Sequence, residues 1–89
     1  MRKGINITTQ ETVTLSEAKE GKSYRVLSFT GGRGLRCRLE GLGIYPGQTL
    51  KVLQNRWGPV LVEVMGRKVG IGRGQAEKIL LTPVDEELI

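Results

Sequence analysis

The chain has 89 residues, including 13 glycines, a single cysteine and no histidine. A chain of this length forms one domain. Without histidine it has no Ser-His-Asp triad, no Cys-His dyad and no zinc site of the usual Cys/His type, which excludes most hydrolase and zinc-finger classes. Fourteen basic residues against nine acidic ones give a net charge of +5. This charge suits a phosphate group, a nucleic acid or an acidic protein surface as partner.

The sequence contains no apolar segment that approaches the ~20 residues needed to span a bilayer, so we expect no direct membrane insertion. The N-terminus begins Met-Arg-Lys and continues with polar residues, which is not the pattern of a secretory signal. We therefore predict a cytoplasmic location, where Cys37 is a reduced thiol.

The first predicted elements alternate between short helix and strand. Residues 1–12 are expected to be an N-terminal arm or an edge strand. Thr14 stands three residues before Glu17, as in a capping box, and Gly21 closes the one or two helical turns that this pattern predicts. Ser23–Phe29 is then predicted as a strand with Tyr24 and Val26 on one face and Arg25, Leu27 and Phe29 on the other.

A helix is predicted from Arg33, because the leucine spacing changes to a helical period. Leu35, Leu39 and Leu42 form an apolar stripe at i, i+4 and i+7 that faces the core, and Gly43 ends the helix. Cys37 has no second cysteine or histidine to pair with, which favours a small packing residue over a ligand or nucleophile.

The second half of the chain is predicted to be mainly strands. Pro46 and Gly47 fit positions i+1 and i+2 of a type II turn, and a helical turn is expected within residues 72–77. The predicted strands are Gln48–Gln54, Val60–Met65, Lys68–Ile71 and Lys78–Leu81, with turns at Asn55–Pro59 and Gly66–Arg67. With Ser23–Phe29 they make five short antiparallel strands, which predicts a mainly β fold curled into a small barrel. Residues 13–83 form this domain, and residues 84–89 form an acidic tail.

The candidate contact residues are basic or apolar side chains at helices and turns. Three glycine clusters fail the spacing of the dinucleotide and phosphate-loop motifs, so no cofactor site is predicted. The only Trp lies in the Asn55–Pro59 loop, where it is either a contact residue or folded back over the barrel mouth. The partner-binding set is Arg33, Arg36, Tyr45, Pro46, Trp57 and Arg73. All of these residues except Trp57 are expected to form a single face.

Two segments resemble the signatures of a known family. Residues 38–47 read Arg-Leu-Glu-Gly-Leu-Gly-Ile-Tyr-Pro-Gly, which resembles the Arg-Leu-x-x-Leu-Gly-Ile-x-Pro-Gly signature of the ferrous iron transport protein A (FeoA) family. Residues 69–79 resemble the second signature, in which a glycine-bearing turn is followed by Ala and a final strand. The opening residues 15–21 match as well, so the resemblance covers residues 13–83. Gly41 departs from it, because a better helix former is expected there.

The resemblance implies a small SH3-like barrel with an inserted helix, located in the cytoplasm and without catalytic activity. It implies as partner the membrane ferrous iron transporter, protein B, through its cytoplasmic GTP-binding domain. Fe²⁺ is linked to the family, yet the sequence shows no ligand set for it, and we expect no tight metal site.

Two alternatives to the transport role are a nucleic-acid-binding small barrel and a stand-alone form of the C-terminal domain of a metal-dependent repressor. The chain has four aromatic residues in all and no aromatic run on one strand for base stacking, so no nucleic-acid partner is expected.

Overall fold

A computed structural model describes residues 11–84 of the chain. The predictions for residues 1–10 and for the tail from residue 85 lie outside the described residues. Neither α-helix of the described part is long and apolar enough to cross a membrane. The elements in chain order are strand β1 (Val13–Thr14), a 3₁₀ helix (Leu15–Glu17), strand β2 (Ser23–Phe29), helix α1 (Arg33–Gly41), strands β3 (Thr49–Gln54), β4 (Val60–Val64) and β5 (Arg67–Ile71), helix α2 (Arg73–Ala76) and strand β6 (Ile79–Pro83).

The strands form one antiparallel sheet in the order β1-β6-β2-β3-β4-β5. The predicted mainly β fold is confirmed, with six strands in place of five. The sixth is the two-residue β1, in which Val13 pairs with Leu81 and Thr14 with Leu80 of β6. Its two residues are too few to show a period of two, so the pattern in the sequence did not reveal it.

Alternating residues of the central strands form the core. Val60, Val62 and Val64 of β4 are buried, and the residues between them are half-buried, as the alternation in the sequence predicts. Leu50 and Val52 of the neighbouring β3 point to the same side and are fully buried. The curled sheet therefore encloses a continuous apolar interior.

Strand β2 departs from the predicted alternation at its end. Its pairing with β6 shifts register between Val26 and Ser28, which is the mark of a β-bulge. The extra residue moves Phe29 to the face that carries Tyr24 and Val26, and all three side chains are buried. The prediction that Phe29 faces the other side is therefore wrong.

Helix α1 packs on the sheet through its leucine stripe. Leu39 is fully buried, and Leu35 and Leu42 are half-buried against the same core, which confirms the predicted stripe. The helix ends before Gly43, whose φ of +92° suits glycine. Cys37 is an exposed free thiol, so the prediction of a packing role for it is wrong. It lies on the solvent side of a helix that buries only one stripe.

The predicted helix after Thr14 is only a single 3₁₀ turn. Thr14 does not cap it, because its hydroxyl Oγ1 forms a hydrogen bond with Ser16 Oγ at 2.8 Å. The capping-box prediction is therefore wrong. Leu15 and Ala18 are both buried, which fixes this turn against the core.

The turns between the strands follow the positions of glycine. The backbone N–H of Gln48 donates to the carbonyl of Tyr45 at 3.0 Å, and Gly47 has φ +95°, which confirms the predicted type II turn. Between β4 and β5 the two turn residues are Met65 and Gly66, with φ of 55° and 78°. The predicted turn Gly66–Arg67 is thus one residue late, because methionine is an uncommon residue at positive φ.

The first prediction follows from the burial of Leu39. Leu39→Ala should lower the free energy of unfolding by about 2–5 kcal/mol, since it removes buried methyl groups and leaves a cavity. Chemical denaturation measures this change. The matched control is Cys37→Ala on the exposed side of the same helix, which should change stability by no more than about 0.5 kcal/mol. Equal midpoints for Leu39→Ala and the unmodified chain would contradict the packing described above.

Candidate protein-interaction surfaces

The predicted contact residues lie at two ends of the molecule. Tyr45 and Pro46 follow α1 and are exposed, and Arg33 and Arg36 are exposed on the helix itself. Arg73 instead contacts the loop between β3 and β4, at the opposite end of β4 from Tyr45. The prediction of a single face that includes Arg73 is therefore wrong in its geometry. The partner-binding role of each residue stays a prediction.

At the end of the molecule that carries Tyr45 and Pro46, an open cleft of about 410 Å³ lies between the end of α1 and the β4–β5 turn. The lining residues are Glu40, Gly41, Leu42, Gly43, Tyr45, Val64, Met65 and Arg67. Two apolar side chains of this lining are exposed to solvent, Tyr45 by 39% and Met65 by 64%. Aromatic residues and methionine are both enriched at protein interfaces. The exposed side chains of this cleft therefore resemble those of an interface.

Backbone geometry fixes the shape of this cleft. Met65 is the one non-glycine residue of the described chain with a positive φ, and the tight turn with Gly66 holds it there. A Cβ at Gly43 would lie 3.2 Å from the Met65 sulfur. Glycine at position 43 therefore lets the end of α1 approach the turn closely.

Charged residues of α1 extend along the helix from the cleft, which Arg67 of β5 also lines. Arg33, Arg36 and Glu40 are spaced i, i+3 and i+7, so they lie along one side of the helix, and Glu40 reaches the cleft lining. The one ion pair found among residues 11–84 is between Arg56 and Glu20, away from this helix. The two arginines are thus available to a partner, on the same helix whose end lines the cleft. We call Arg33, Arg36, Tyr45 and Pro46, together with the cleft, the α1 face.

At the other end, a network of hydrogen bonds centres on Asn55. Its Nδ2 donates to the carbonyls of Ser16 at 3.1 Å and Ala18 at 2.6 Å. Its Oδ1 accepts from Arg73 Nη2 at 2.7 Å, and the same guanidinium donates from Nε to the Gly58 carbonyl at 3.1 Å and from Nη1 to Ser16 at 3.4 Å. Asn55 and Arg73 thereby connect the 3₁₀ helix, the β3–β4 loop and α2.

Glu20 completes this network on its exposed side. One carboxylate oxygen, Oε2, accepts from the backbone N–H of Asn55 at 2.7 Å and from Arg56 Nε at 3.3 Å. The Asn55 hydrogen bond, together with the positive charge of Arg56, lowers the pKa of Glu20 below its ordinary value. Through these two hydrogen bonds Glu20 holds the start of the loop.

The loop braced in this way carries Trp57 at its tip. The Trp57 side chain is 84% exposed, so it does not fold back over the barrel mouth. Of the two roles considered for Trp57, that of a contact residue is consistent with this exposure. We call residues 55–59 the Trp57 loop.

Sequence reasoning missed two residues that shape these surfaces, Asn55 and Met65. Asn55 was assigned only to a turn, because its partners lie 37 and 39 residues away along the chain and no local pattern shows them. Met65 was placed at the end of a strand. The glycine that follows it was the available signal, since two-residue hairpin turns commonly end in glycine.

Within residues 11–84 no three Asp, Glu, Cys or His side chains come together in a group that could hold a metal ion. The described part of the structure therefore offers no ligand set to assign to Fe²⁺.

The topology and the inserted helix define a small SH3-like barrel. The chain belongs to the FeoA family, since the FeoA domain matches residues 13–83. Fe(2+) transport protein A of Methanocaldococcus jannaschii is 42% identical over 67 residues, which cover 75% of this chain and 82% of that protein.

Solved structures share the fold of this chain. The crystal structure of an iron uptake regulatory protein (FeoA) superimposes with a TM-score of 0.79 at 32% identity, over 83% of this chain and 100% of that one. A manganese-dependent transcriptional repressor has a TM-score of 0.77 at 20% identity, over 85% of this chain and 44% of the repressor. The likeness to the repressor is one of fold alone.

The second prediction follows from the hydrogen bonds of Asn55. Asn55→Ala should lower the free energy of unfolding by about 1–3 kcal/mol, because the Ser16 and Ala18 carbonyls lose their side-chain donor and Arg73 loses its acceptor. Denaturation by urea measures this loss. The control is Gln54→Ala, which truncates the exposed neighbouring side chain and should leave the midpoint nearly unchanged. A similar midpoint for both variants would contradict the bracing role.

The third prediction concerns metal binding by the isolated chain. Titration with Fe²⁺ or Zn²⁺, followed by calorimetry, should show at most weak binding, because histidine is absent and Cys37 has no second thiol beside it. Stoichiometric, submicromolar binding would refute this prediction and direct attention to Cys37, Glu40 and Glu63.

Proposed function

We propose that the chain is a small cytoplasmic accessory protein of ferrous iron transport. In this role it binds and modulates the GTPase-coupled membrane Fe²⁺ transporter, protein B, at its cytoplasmic GTP-binding domain. The match of the FeoA domain to residues 13–83 is the observation that carries the proposal. The relative at 42% identity, which bears the name Fe(2+) transport protein A, supports it. The proposed role is one of binding, and no catalytic step is assigned to the chain.

The α1 face is the surface that we propose for this contact. It combines the exposed apolar side chains of Tyr45 and Met65 with the two arginines at the side of the cleft. Tyr, Met and Arg are the residue types that are enriched at protein interfaces. The cleft beside Tyr45, lined by apolar residues and by Glu40 and Arg67, also gives a partner side chain a place to be buried.

Charge supports an acidic partner surface. The chain carries a net charge of +5, and Arg33 and Arg36 lie side by side on the exposed part of α1. Opposite charges across an interface raise the rate of association more than the final affinity, and salt screens this steering over about 8 Å at physiological ionic strength. Binding through these arginines should therefore be faster at low salt.

Charge reversal on α1 is the fourth prediction. The double variant Arg33→Glu, Arg36→Glu should bind the transporter's GTP-binding domain more weakly and lose the salt dependence, and iron uptake should fall in cells that carry it. The fold should remain intact, because exposed substitutions usually change stability by no more than about 0.5 kcal/mol. Surface plasmon resonance at two salt concentrations measures the binding.

A control with the same change in net charge separates local from global charge effects. Lys19→Glu with Lys22→Glu also reverses two exposed positive charges, and both lysines lie outside α1 and the cleft. This control should bind more strongly than the α1 double variant. If the α1 double variant binds at the strength of the unmodified chain with the same salt dependence, the α1 face is refuted and the Trp57 loop becomes the next surface to test.

A further inference from the structure

Strand β5 is an open edge of the sheet. It pairs with β4 on one side, and it is the last strand in the order of the sheet. Three of its five residues, Arg67, Lys68 and Gly70, are exposed. An edge strand of this kind presents backbone donors and acceptors on which a further strand can form.

The β4–β5 turn determines which backbone groups are free. Because the turn has two residues, Val64 and Arg67 are the first hydrogen-bonded pair, and the hydrogen-bonded positions then alternate along β5. Residues 67, 69 and 71 direct their N–H and C=O groups towards β4. Lys68 and Gly70 therefore direct theirs away from the sheet. Within residues 11–84 these outward groups form no backbone hydrogen bond to a turn or loop.

The outer face of the sheet carries alternating charges that end at this edge. Lys51 of β3 lies opposite Glu63 of β4, and Glu63 lies opposite Lys68 of β5. All three belong to the face that is turned away from the core, because buried residues flank Lys51 and Glu63 on both sides and the buried Val69 follows Lys68. The row reads positive, negative, positive, and opposite charges on adjacent strands stabilise pairing. A strand added at the edge would continue the alternation with an acidic residue opposite Lys68.

The same edge disfavours a second copy of the chain. Antiparallel pairing of two β5 strands would bring Arg67 and Lys68 of each copy to one short ladder of like charge, and lysine on an edge strand is a common protection against such pairing. Gly70, on the same face as Lys68, favours a strand of different sequence. Nothing lies within 4 Å of a Cβ built at Gly70, so a large side chain of an added strand has room above it.

We propose that the β5 edge binds an acidic, extended segment of a partner polypeptide as an added antiparallel strand. The backbone groups of Lys68 and Gly70 form the hydrogen bonds, Lys68 faces an acidic residue, and a large side chain two residues earlier in the segment covers Gly70. This is strand addition to a sheet edge, in which the main chain supplies affinity and alternate side chains supply specificity. The transporter need not be the polypeptide that carries the segment.

The probe is a blocked synthetic peptide, Thr-Thr-Tyr-Thr-Glu-Thr-Thr, titrated into the isotope-labelled chain up to the millimolar range and followed by NMR. We expect the amides of Lys68 and Gly70 to shift and to gain protection from hydrogen exchange, whereas those of Val69 and Ile71, already bonded to β4, gain little. A peptide with Lys in place of Glu should bind roughly two- to fivefold more weakly. The variant Lys68→Glu should reverse the order of the two peptides.

A matched pair of variants tests the backbone bonds. Gly70→Pro removes the outward N–H without a ladder bond to β4, and it should abolish binding, whereas Gly70→Ala keeps this N–H and should bind. If the proline variant does not fold, the proposal is still tested by Lys68→Glu, which should reverse the order in which the two peptides bind. Equal binding by the folded proline and alanine variants would overturn the proposal. So would shifts centred on α1 or the Trp57 loop, or the absence of peptide binding to the folded chain.

Self-association provides the remaining outcome. Concentration-dependent dimerisation that Gly70→Pro abolishes would show that the edge takes a second copy, and would overturn the proposal of an acidic segment. The peptide experiment contains no transporter. Peptide binding without transporter binding would therefore leave this inference standing and refute the proposed function, and the reverse result would do the opposite.

Discussion

The two end strands of the sheet, β1 and β5, do not pair with each other in the described part of the chain, and side chains connect the two ends of the curl instead. Helix α2, which follows β5, packs against the 3₁₀ helix that follows β1. Arg73 and Asn55 then donate hydrogen bonds to the Ser16 carbonyl, which has no strand partner of its own. Closure by strand pairing would use backbone groups, which nearly every residue supplies. The closure seen here depends instead on a few specific polar side chains. Because those groups are partly buried, the loss of one leaves its partners unsatisfied.

This form of closure separates the surface into regions with different properties. The bonds from Asn55 and Arg73 hold the Trp57 loop, so an exposed Trp is presented on ordered backbone. At the other end of β4, the Met65–Gly66 turn and the end of α1 form the cleft without help from the network. Between them, the outer backbone groups of β5 have no partner among residues 11–84, because strand pairing does not close the sheet within this part of the chain. The core takes up most of the apolar residues of this small barrel. Its surface nevertheless has an exposed Trp, a cleft and an edge strand.

The sequence was sufficient for features that depend on local periodicity and turn chemistry. The alternating valines of β4 and the Pro46–Gly47 turn are as predicted, since each signal lies within a few residues. The bulge that buries Phe29 was not predictable from alternation, because an extra residue in one strand shows only against its partner strand. Arg73 was placed with the α1 arginines because all are basic residues near glycine. Its actual position depends on Asn55, 18 residues earlier, and only the fold brings them together.

We propose that this chain of the FeoA family contacts the transporter through the α1 face. The most direct measurement is an NMR titration of the isotope-labelled chain with the transporter's cytoplasmic GTP-binding domain, with and without nucleotide and Fe²⁺. We expect saturable changes in the amide signals of α1, the Tyr45–Pro46 turn and the cleft, and these changes should be stronger at low salt than at high salt. No change in any of these conditions, or changes confined to the Trp57 loop, would contradict it.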